Sequence, residues 1–125
     1  MTTPDIIEHW MRGARSALNM ARMARDAGEY EHALFNCHLA VEKAMKAMYL
    51  REKGTEHPRT HDLERLSQEL SVTLTAEEHD WLADLTEFVV DARYADPVWA
   101  VEQATRENAD RWIGRTEEVL SSLLP

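Results

Sequence analysis

Apolar residues recur every three or four positions along most of the chain, which is the spacing of one face of an α-helix. Residues 4–27 carry such a face, with Trp10 in it, and Gly28 ends the stretch. A second apolar face runs through residues 30–52. Because both faces are rich in alanine, the two helices can approach closely, and we expect them to form an antiparallel hairpin.

The second half of the chain shows the same periodicity in shorter pieces. It predicts a short helix over residues 62–70, a helix over residues 75–92 that opens with a Thr-x-x-Glu capping box, and a last helix over residues 101–124. Asp96 followed by Pro97 resembles an N-cap with a first-turn proline, so a start one turn earlier is the alternative for the last helix.

No window alternates in the manner of a β-strand, and no linker or repeat divides the chain. We therefore predict an all-α protein: an up-and-down four-helix bundle with one short extra helix, in a single domain over residues 1–125. A chain of 125 residues has the usual length of one domain.

The composition favours a reducing compartment. Cys37 is the only cysteine, so an intramolecular disulfide is impossible, and its place on an apolar helical face suggests a buried small hydrophobe. The first residues lack the pattern of a secretory signal, and no apolar stretch approaches the roughly 18 residues of a membrane span. We expect a soluble cytoplasmic protein that does not enter a membrane.

The formal net charge is −9, which disfavours broad, nonspecific binding to a phosphate backbone. A nucleic-acid role would need a local basic patch or a basic partner. The sequence lacks a Gly-rich phosphate loop, a CxxC pair and HExxH. A zinc site on His38 and Glu42 would lack further ligands, so we expect no metal and no cofactor.

Two short stretches carry the residues best suited to binding. His61 and Asp62 follow a proline-containing turn and open a helix, whose positive end would attract phosphate. Arg93 and Tyr94 end a helix; an arginine fork can hold phosphate or carboxylate, and Tyr94 with Trp99 could stack on a base. The structural alternative is that His61 and Asp62 start a helix over the core, while Arg93 opposes a helix dipole and Tyr94 packs into the bundle end.

Four segments, in this order and spacing, resemble the HEPN domain family over nearly the whole chain. They are Gly28-x-Tyr30-x-x-Ala33, Ala40-Val41-Glu42-Lys43-Ala44-x-Lys46-Ala47, Thr60-His61-Asp62-Leu63 and Ala92-Arg93-Tyr94. The resemblance implies an up-and-down helical bundle that commonly forms homodimers. It also implies pairing with a small nucleotidyltransferase as a toxin–antitoxin system, nucleotide binding, or metal-independent RNA cleavage.

The family's nucleases use an arginine followed, after four to six residues, by a histidine. After Arg93 that window holds Val98, Trp99 and Ala100, with no histidine. Arg25 with His32 and Arg51 with His57 have the spacing, but each pair straddles a glycine-containing break. The sequence therefore leaves open whether the protein is an enzyme.

Three functions follow as hypotheses. The first is a nucleotide- or nucleic-acid-binding module, in a two-component system with a nucleotidyltransferase. The second is an RNA endonuclease with His61 as acid–base and Arg93 as clamp, and the third is a structural adaptor. The candidate ligand-binding residues are Glu42, Lys43, Lys46, His61, Asp62, Arg93 and Tyr94. Trp99 is the candidate interface residue, and the predicted dimer surface is the first helix with the segment 93–99.

Overall fold

The computed structural model of the chain describes residues 2–94 and 97–125, and it describes side chains for residues 2–89 and 97–125. Within these ranges the chain forms α-helices and no strand, which confirms the all-α prediction. The helices are α1 (Thr3–Asp26), α2 (Tyr30–Lys53), α3 (Leu63–Gln68), α4 (Ala76–Tyr94), α5 (Pro97–Gln103) and α6 (Arg106–Leu123).

Helices α1 and α2 form the predicted hairpin. Thr2 and Asp5 make a reciprocal capping box that starts α1: each side chain accepts a hydrogen bond from the other's backbone N–H, at 3.0 and 3.3 Å. The turn passes through Gly28 at φ +77°, a left-handed conformation that glycine adopts without the steric penalty of a Cβ. The chain then reverses direction within residues 27–29.

Helix α2 is the centre of the bundle, because it packs against all five other helices. Its alanines allow this: Ala40, Ala44 and Ala47 are fully buried, and small side chains let neighbouring helices approach. The helix is therefore buried on most of its surface. Polar residues within its buried part need partners from the elements around it.

The segment after α2 returns across the bundle to α3 and α4. The backbone N–H of Leu63 donates to Thr86 Oγ1 of α4 at 3.2 Å, which fixes the start of α3 against the middle of α4. The predicted capping box of α4 is present, since Thr75 and Glu78 exchange bonds of 3.0 and 3.1 Å. The buried Glu78 also accepts from Ser122 Oγ at 2.9 Å, joining the ends of α4 and α6.

The single last helix predicted over residues 101–124 is wrong, because this stretch contains the end of α5 and a separate α6. Thr105 adopts an extended backbone, φ −118° and ψ 156°, and its hydroxyl accepts the N–H of Asn108 at 3.1 Å. The side-chain amide of Asn108 in turn donates to the Gln103 carbonyl at 3.0 Å, so each helix end gains a side-chain partner at the break. Pro97 does begin a helix, as the alternative start predicted. No helix in residues 2–94 and 97–125 is long and apolar enough to cross a membrane.

Candidate functional site

A polar stripe on α2 meets the loop that leads into α3. His38, Glu42 and Lys46 are spaced four residues apart and therefore share one helical face. The loop that carries His61 lies over this face, and the first half of α1 borders it. We call this group the His61 cluster; its members are Trp10, His38, Glu42, Lys46, His57 and His61.

Glu42 is the centre of the His61 cluster. Its side chain is only 5% exposed, and each of its oxygens faces one nitrogen of a basic side chain. His61 Nδ1 lies 2.6 Å from Oε1, and Lys46 Nζ lies 3.8 Å from Oε2. A buried carboxylate needs such partners, because an unpaired charge away from water is strongly unfavourable.

The Glu42 contact sets the chemistry of His61. A carboxylate oxygen accepts, so Nδ1 is the protonated ring nitrogen and Nε2 is left for another partner. The His61 side chain is 65% exposed, and no hydrogen bond to Nε2 is found within the described residues. The structure thus presents an imidazole that is fixed on one side and open to solvent on the other.

His38 supports the loop from beneath. It is buried, and its Nε2–H donates to the backbone carbonyl of His61 at 3.0 Å. Burial lowers the pKa of His38, and this effect outweighs the opposing influence of the hydrogen bond and of Glu42. A neutral His38 therefore holds the His61 backbone in place.

Aromatic rings border the cluster on the α1 side. Lys46 Nζ lies 5.4 Å from the centre of the Trp10 ring, within the range of a cation–π contact. The ring of His57 meets Trp10 edge to face at 5.9 Å. His57 Nδ1–H also donates to the carbonyl of Pro58 at 3.0 Å, which helps order the loop. Trp10 and His57 thus give the polar cluster a flat, partly exposed neighbour.

Asp62 has a capping role in the structure. Its Oδ1 accepts the N–H groups of Glu64 and Arg65, at 3.1 and 3.2 Å, and the N–H of Leu63 donates to Thr86. The donors of the first turn of α3 are therefore already used. This disfavours the expectation that the α3 N-terminus attracts phosphate, and it leaves direct ligand binding by Asp62 as a prediction.

The structure does not unite every candidate residue with the cluster. The side chain of Lys43 lies against Gly13 of α1; a Cβ added to Gly13 would come within 3.1 Å of the Lys43 Cδ atom. Among the described side chains, no hydrogen bond or ion pair joins Lys43 to the His61 cluster. Arg93 and Tyr94 end α4, but their side chains lie outside the described residues. The helical rise puts the Arg93 backbone about 10 Å along α4 from Thr86.

Trp99 is half-buried, and its ring packs in a tilted arrangement against Phe88, with 5.8 Å between the ring centres. The strongly exposed apolar residues of α5 are its neighbours Val98 and Val101. The residues between α4 and α5, Ala95 and Asp96, lie outside the described residues. A role for Trp99 in an interface stays a prediction.

The comparisons with known proteins agree with the fold. The model of the HEPN domain family matches residues 7–124. The chain belongs to the HEPN family. The HEPN fold is also found in two similar crystal structures. TT1696 from Thermus thermophilus is 24% identical over 94% of each chain, with a TM-score of 0.82. ST0689, described as an archaeal HEPN homologue, is 27% identical over 92% of each chain, with a TM-score of 0.73. No curated protein matches this sequence.

Three of the six residues of the His61 cluster, Glu42, Lys46 and His61, were among the candidate ligand-binding residues of this HEPN domain. The sequence did not indicate that the loop carrying His61 lies over the helical face that carries Glu42 and Lys46. Trp10 was assigned to the apolar face of the first helix. His57 was considered only as the partner of Arg51 in the nuclease spacing, and its position before Pro58 did not point to Trp10. No group of three or more His, Cys, Asp or Glu side chains suited to a metal ion is found in the described residues.

Proposed function

We propose that this HEPN domain is a nucleotide- or nucleic-acid-binding module, and that it acts in a toxin–antitoxin-like pair with a nucleotidyltransferase. The observation that carries the binding proposal is the exposed His61 imidazole, held at Nδ1 by the buried Glu42 carboxylate. With a proton on each ring nitrogen, an imidazole fixed in this way can give its Nε2–H to a phosphate oxygen without first losing rotational freedom.

The neighbours of His61 supply the other contacts that a nucleotide needs. Lys46 adds an ammonium group beside Glu42, and Trp10 with His57 offers ring faces for a base. The Lys46 charge is neutralised by Glu42, and the whole chain carries a net charge of −9. These charges favour a ligand held by a few positioned contacts over a long phosphate backbone.

Isothermal titration with ATP, with GTP and with a short single-stranded RNA tests this proposal. We expect binding by at least one of the three, weakened about tenfold or more in His61→Ala, because one charge-assisted hydrogen bond is lost. His79→Ala is the matched control, since His79 is an exposed histidine on α4, outside the cluster. No heat and no thermal shift at millimolar ligand, or equal affinities for wild type and His61→Ala, would contradict the proposal.

The same contact favours a second candidate, a metal-independent RNA endonuclease. A carboxylate that orients an imidazole at Nδ1 is the arrangement of a general acid–base pair, with Nε2 facing the reacting group. Arg93 is the candidate for binding the transition-state charge. Incubation of cellular RNA with wild type, His61→Ala and His79→Ala decides this point. Cleavage by the wild type and His79→Ala but not by His61→Ala supports the nuclease. If no variant cleaves, or if all cleave equally, the nuclease hypothesis fails.

We propose that the protein forms a homodimer through α1 and the segment 93–99, with Trp99 at the edge of the interface. If the protein is a structural adaptor, the same surface would bind a partner protein. Exposed Met20 and Met23 of α1, and Val98 and Val101 of α5, support these surfaces. Sedimentation should show a dimer at micromolar concentration, and Val98→Asp with Val101→Asp should shift it toward monomer. A wild-type monomer contradicts the dimer.

The nucleotidyltransferase partner is tested separately. Co-expression with a nucleotidyltransferase encoded beside this chain should yield one co-purifying complex. Separate elution of the two proteins would remove this part of the proposal without affecting nucleotide binding.

A further inference from the structure

A second polar site lies between α4, α5 and α6. It is a cavity of about 280 Å³, and none of its lining residues belongs to the His61 cluster. Asp84 and Glu87 of α4 and Arg111 and Arg115 of α6 are its charged lining residues. Aromatic side chains, among them Trp112, and the amide side chains of Gln103 and Asn108 complete the lining. The cavity therefore brings both signs of charge together in a largely polar pocket.

Arg115 is held in a fixed orientation by two tryptophans. Its guanidinium carbon lies 5.1 Å from the centre of the Trp81 ring and 4.8 Å from that of Trp112. Two cation–π contacts restrict a side chain that is otherwise flexible. No carboxylate and no hydrogen-bond acceptor for Arg115 is found among the described residues. Its planar set of N–H donors is thus oriented, half-buried and available to a ligand.

The other charged groups of the cavity are unequally occupied. Arg111 is engaged on α6 itself, by Asn108 Oδ1 at 2.8 Å and by Glu107 at 3.8 Å. Asp84 and Glu87 are exposed, and they make no ion pair within the part of the chain that the structure describes. Among the described side chains, the cavity therefore combines one oriented, unpaired guanidinium with two unpaired carboxylates.

We propose that this cavity binds a small zwitterion, an amino-acid-sized molecule that carries one carboxylate and one ammonium group. The carboxylate is bound by Arg115, and the ammonium group is bound by Asp84 or Glu87. A purely anionic ligand would be repelled by the two carboxylates, and a purely cationic one by the two arginines. A volume of about 280 Å³ lies just below the usual range of ligand sites, so it suits an amino acid better than a whole nucleotide.

Three ligands with the same side chain test the requirement for both charges. L-Leucine carries both groups, leucinamide lacks the carboxylate, and N-acetyl-leucine lacks the ammonium group. The readout is the set of indole N–H signals in ¹H–¹⁵N NMR spectra, because Trp99 and Trp112 line the cavity. We expect millimolar L-leucine to shift these two signals, and each of the other ligands to bind about tenfold more weakly or worse.

Two variants assign the contacts. Arg115→Gln should abolish the L-leucine shifts. The double variant Asp84→Asn with Glu87→Gln changes exposed positions, so it keeps the proposal testable if Arg115→Gln unfolds. It should weaken L-leucine binding about tenfold while removing the penalty against N-acetyl-leucine. His61→Ala should bind L-leucine as the wild type does, which separates this site from the His61 cluster. The proposal is overturned if L-leucine shifts no indole signal, if all three ligands act alike, or if the double variant binds like the wild type.

Discussion

Replacement of Glu42 by glutamine tests whether the His61 cluster is held together by charge. The substitution preserves the size of the side chain and one carbonyl oxygen, but it removes the negative charge that faces His61 and Lys46. Glu42 itself is 4% exposed, so its contribution is little screened by solvent. We expect the variant to fold with a lower free energy of unfolding.

The expected loss follows from how far each partner can return to water. Breaking a fully buried ion pair by removing one member destabilises a protein by about 3–5 kcal/mol. Here Lys46 retains 15% exposure and His61 retains 65%, so both can regain solvation. The glutamine oxygen can still accept from His61 Nδ1. We therefore expect a loss of about 1–3 kcal/mol, and a midpoint lowered by roughly 4 °C for each kcal/mol in a domain of this size.

Urea unfolding followed by tryptophan fluorescence measures this loss. Glu8→Gln is the control, because Glu8 also faces a cation four residues away, Arg12, at 4.0 Å, but the pair is exposed. The control should lose less than about 0.5 kcal/mol. If Glu42→Gln also stays within about 0.5 kcal/mol of the wild type, the electrostatic account of the cluster is refuted.

Three further predictions concern single residues outside the Glu42 contact. Because the pKa of His38 is lowered on folding, the unfolded chain takes up a proton at this side chain before the folded chain does. The free energy of unfolding should therefore fall as the pH drops below about 6.5. Urea unfolding at several pH values should show a weaker pH dependence in His38→Gln. Burial raises the pKa of Cys37 to about 12, so iodoacetamide at pH 8 should label it only in denaturant, and labelling of the native protein would contradict its burial. Gly54→Ala should destabilise the protein by about 1 kcal/mol, because Gly54 has a φ of +70°. Gly114→Ala, in the middle of α6, should stabilise it by about 0.5–1 kcal/mol, because alanine favours a helix more than glycine does. Thermal melts in which both variants shift the midpoint in the same direction would refute the backbone argument.

The helices could be predicted from the sequence where capping or turn residues coincided with the ends of an apolar helical pattern. The capping box of Thr75 and Glu78 marked the start of α4, and Gly28 marked the turn after α1. The break before α6 was missed although Thr105 is also a good N-cap. Apolar residues on both sides of Thr105 continue the helical spacing, and periodicity alone does not distinguish a kinked helix from two helices with a satisfied junction.

The site was less predictable, because its central contact joins residues far apart in the chain. The stripe on α2 is local and visible, whereas the 2.6 Å contact between Glu42 and His61 depends on the path of an irregular loop. That path is set by the buried His38, which donates to the His61 carbonyl, and by Thr86, which receives the N–H of Leu63. Neither bond has a periodic signature. The sequence could therefore indicate the residue types of the site but not their geometry.

The two proposed sites differ in how their charges are compensated, and this difference determines what each can bind. At the His61 cluster the Glu42 carboxylate already compensates Lys46, so attraction for a phosphate depends on the exposed side of one oriented imidazole. Long-range attraction is weak in a chain of net charge −9, and affinity there should come from positioned short-range contacts. At the second cavity Arg115 and two carboxylates are left without partners among the described residues, so a ligand must supply both charges itself. In both sites the ligand is expected to match the charges that the protein leaves without a partner. This favours a phosphate-containing nucleotide beside His61 and a zwitterion beside Arg115 and the two carboxylates.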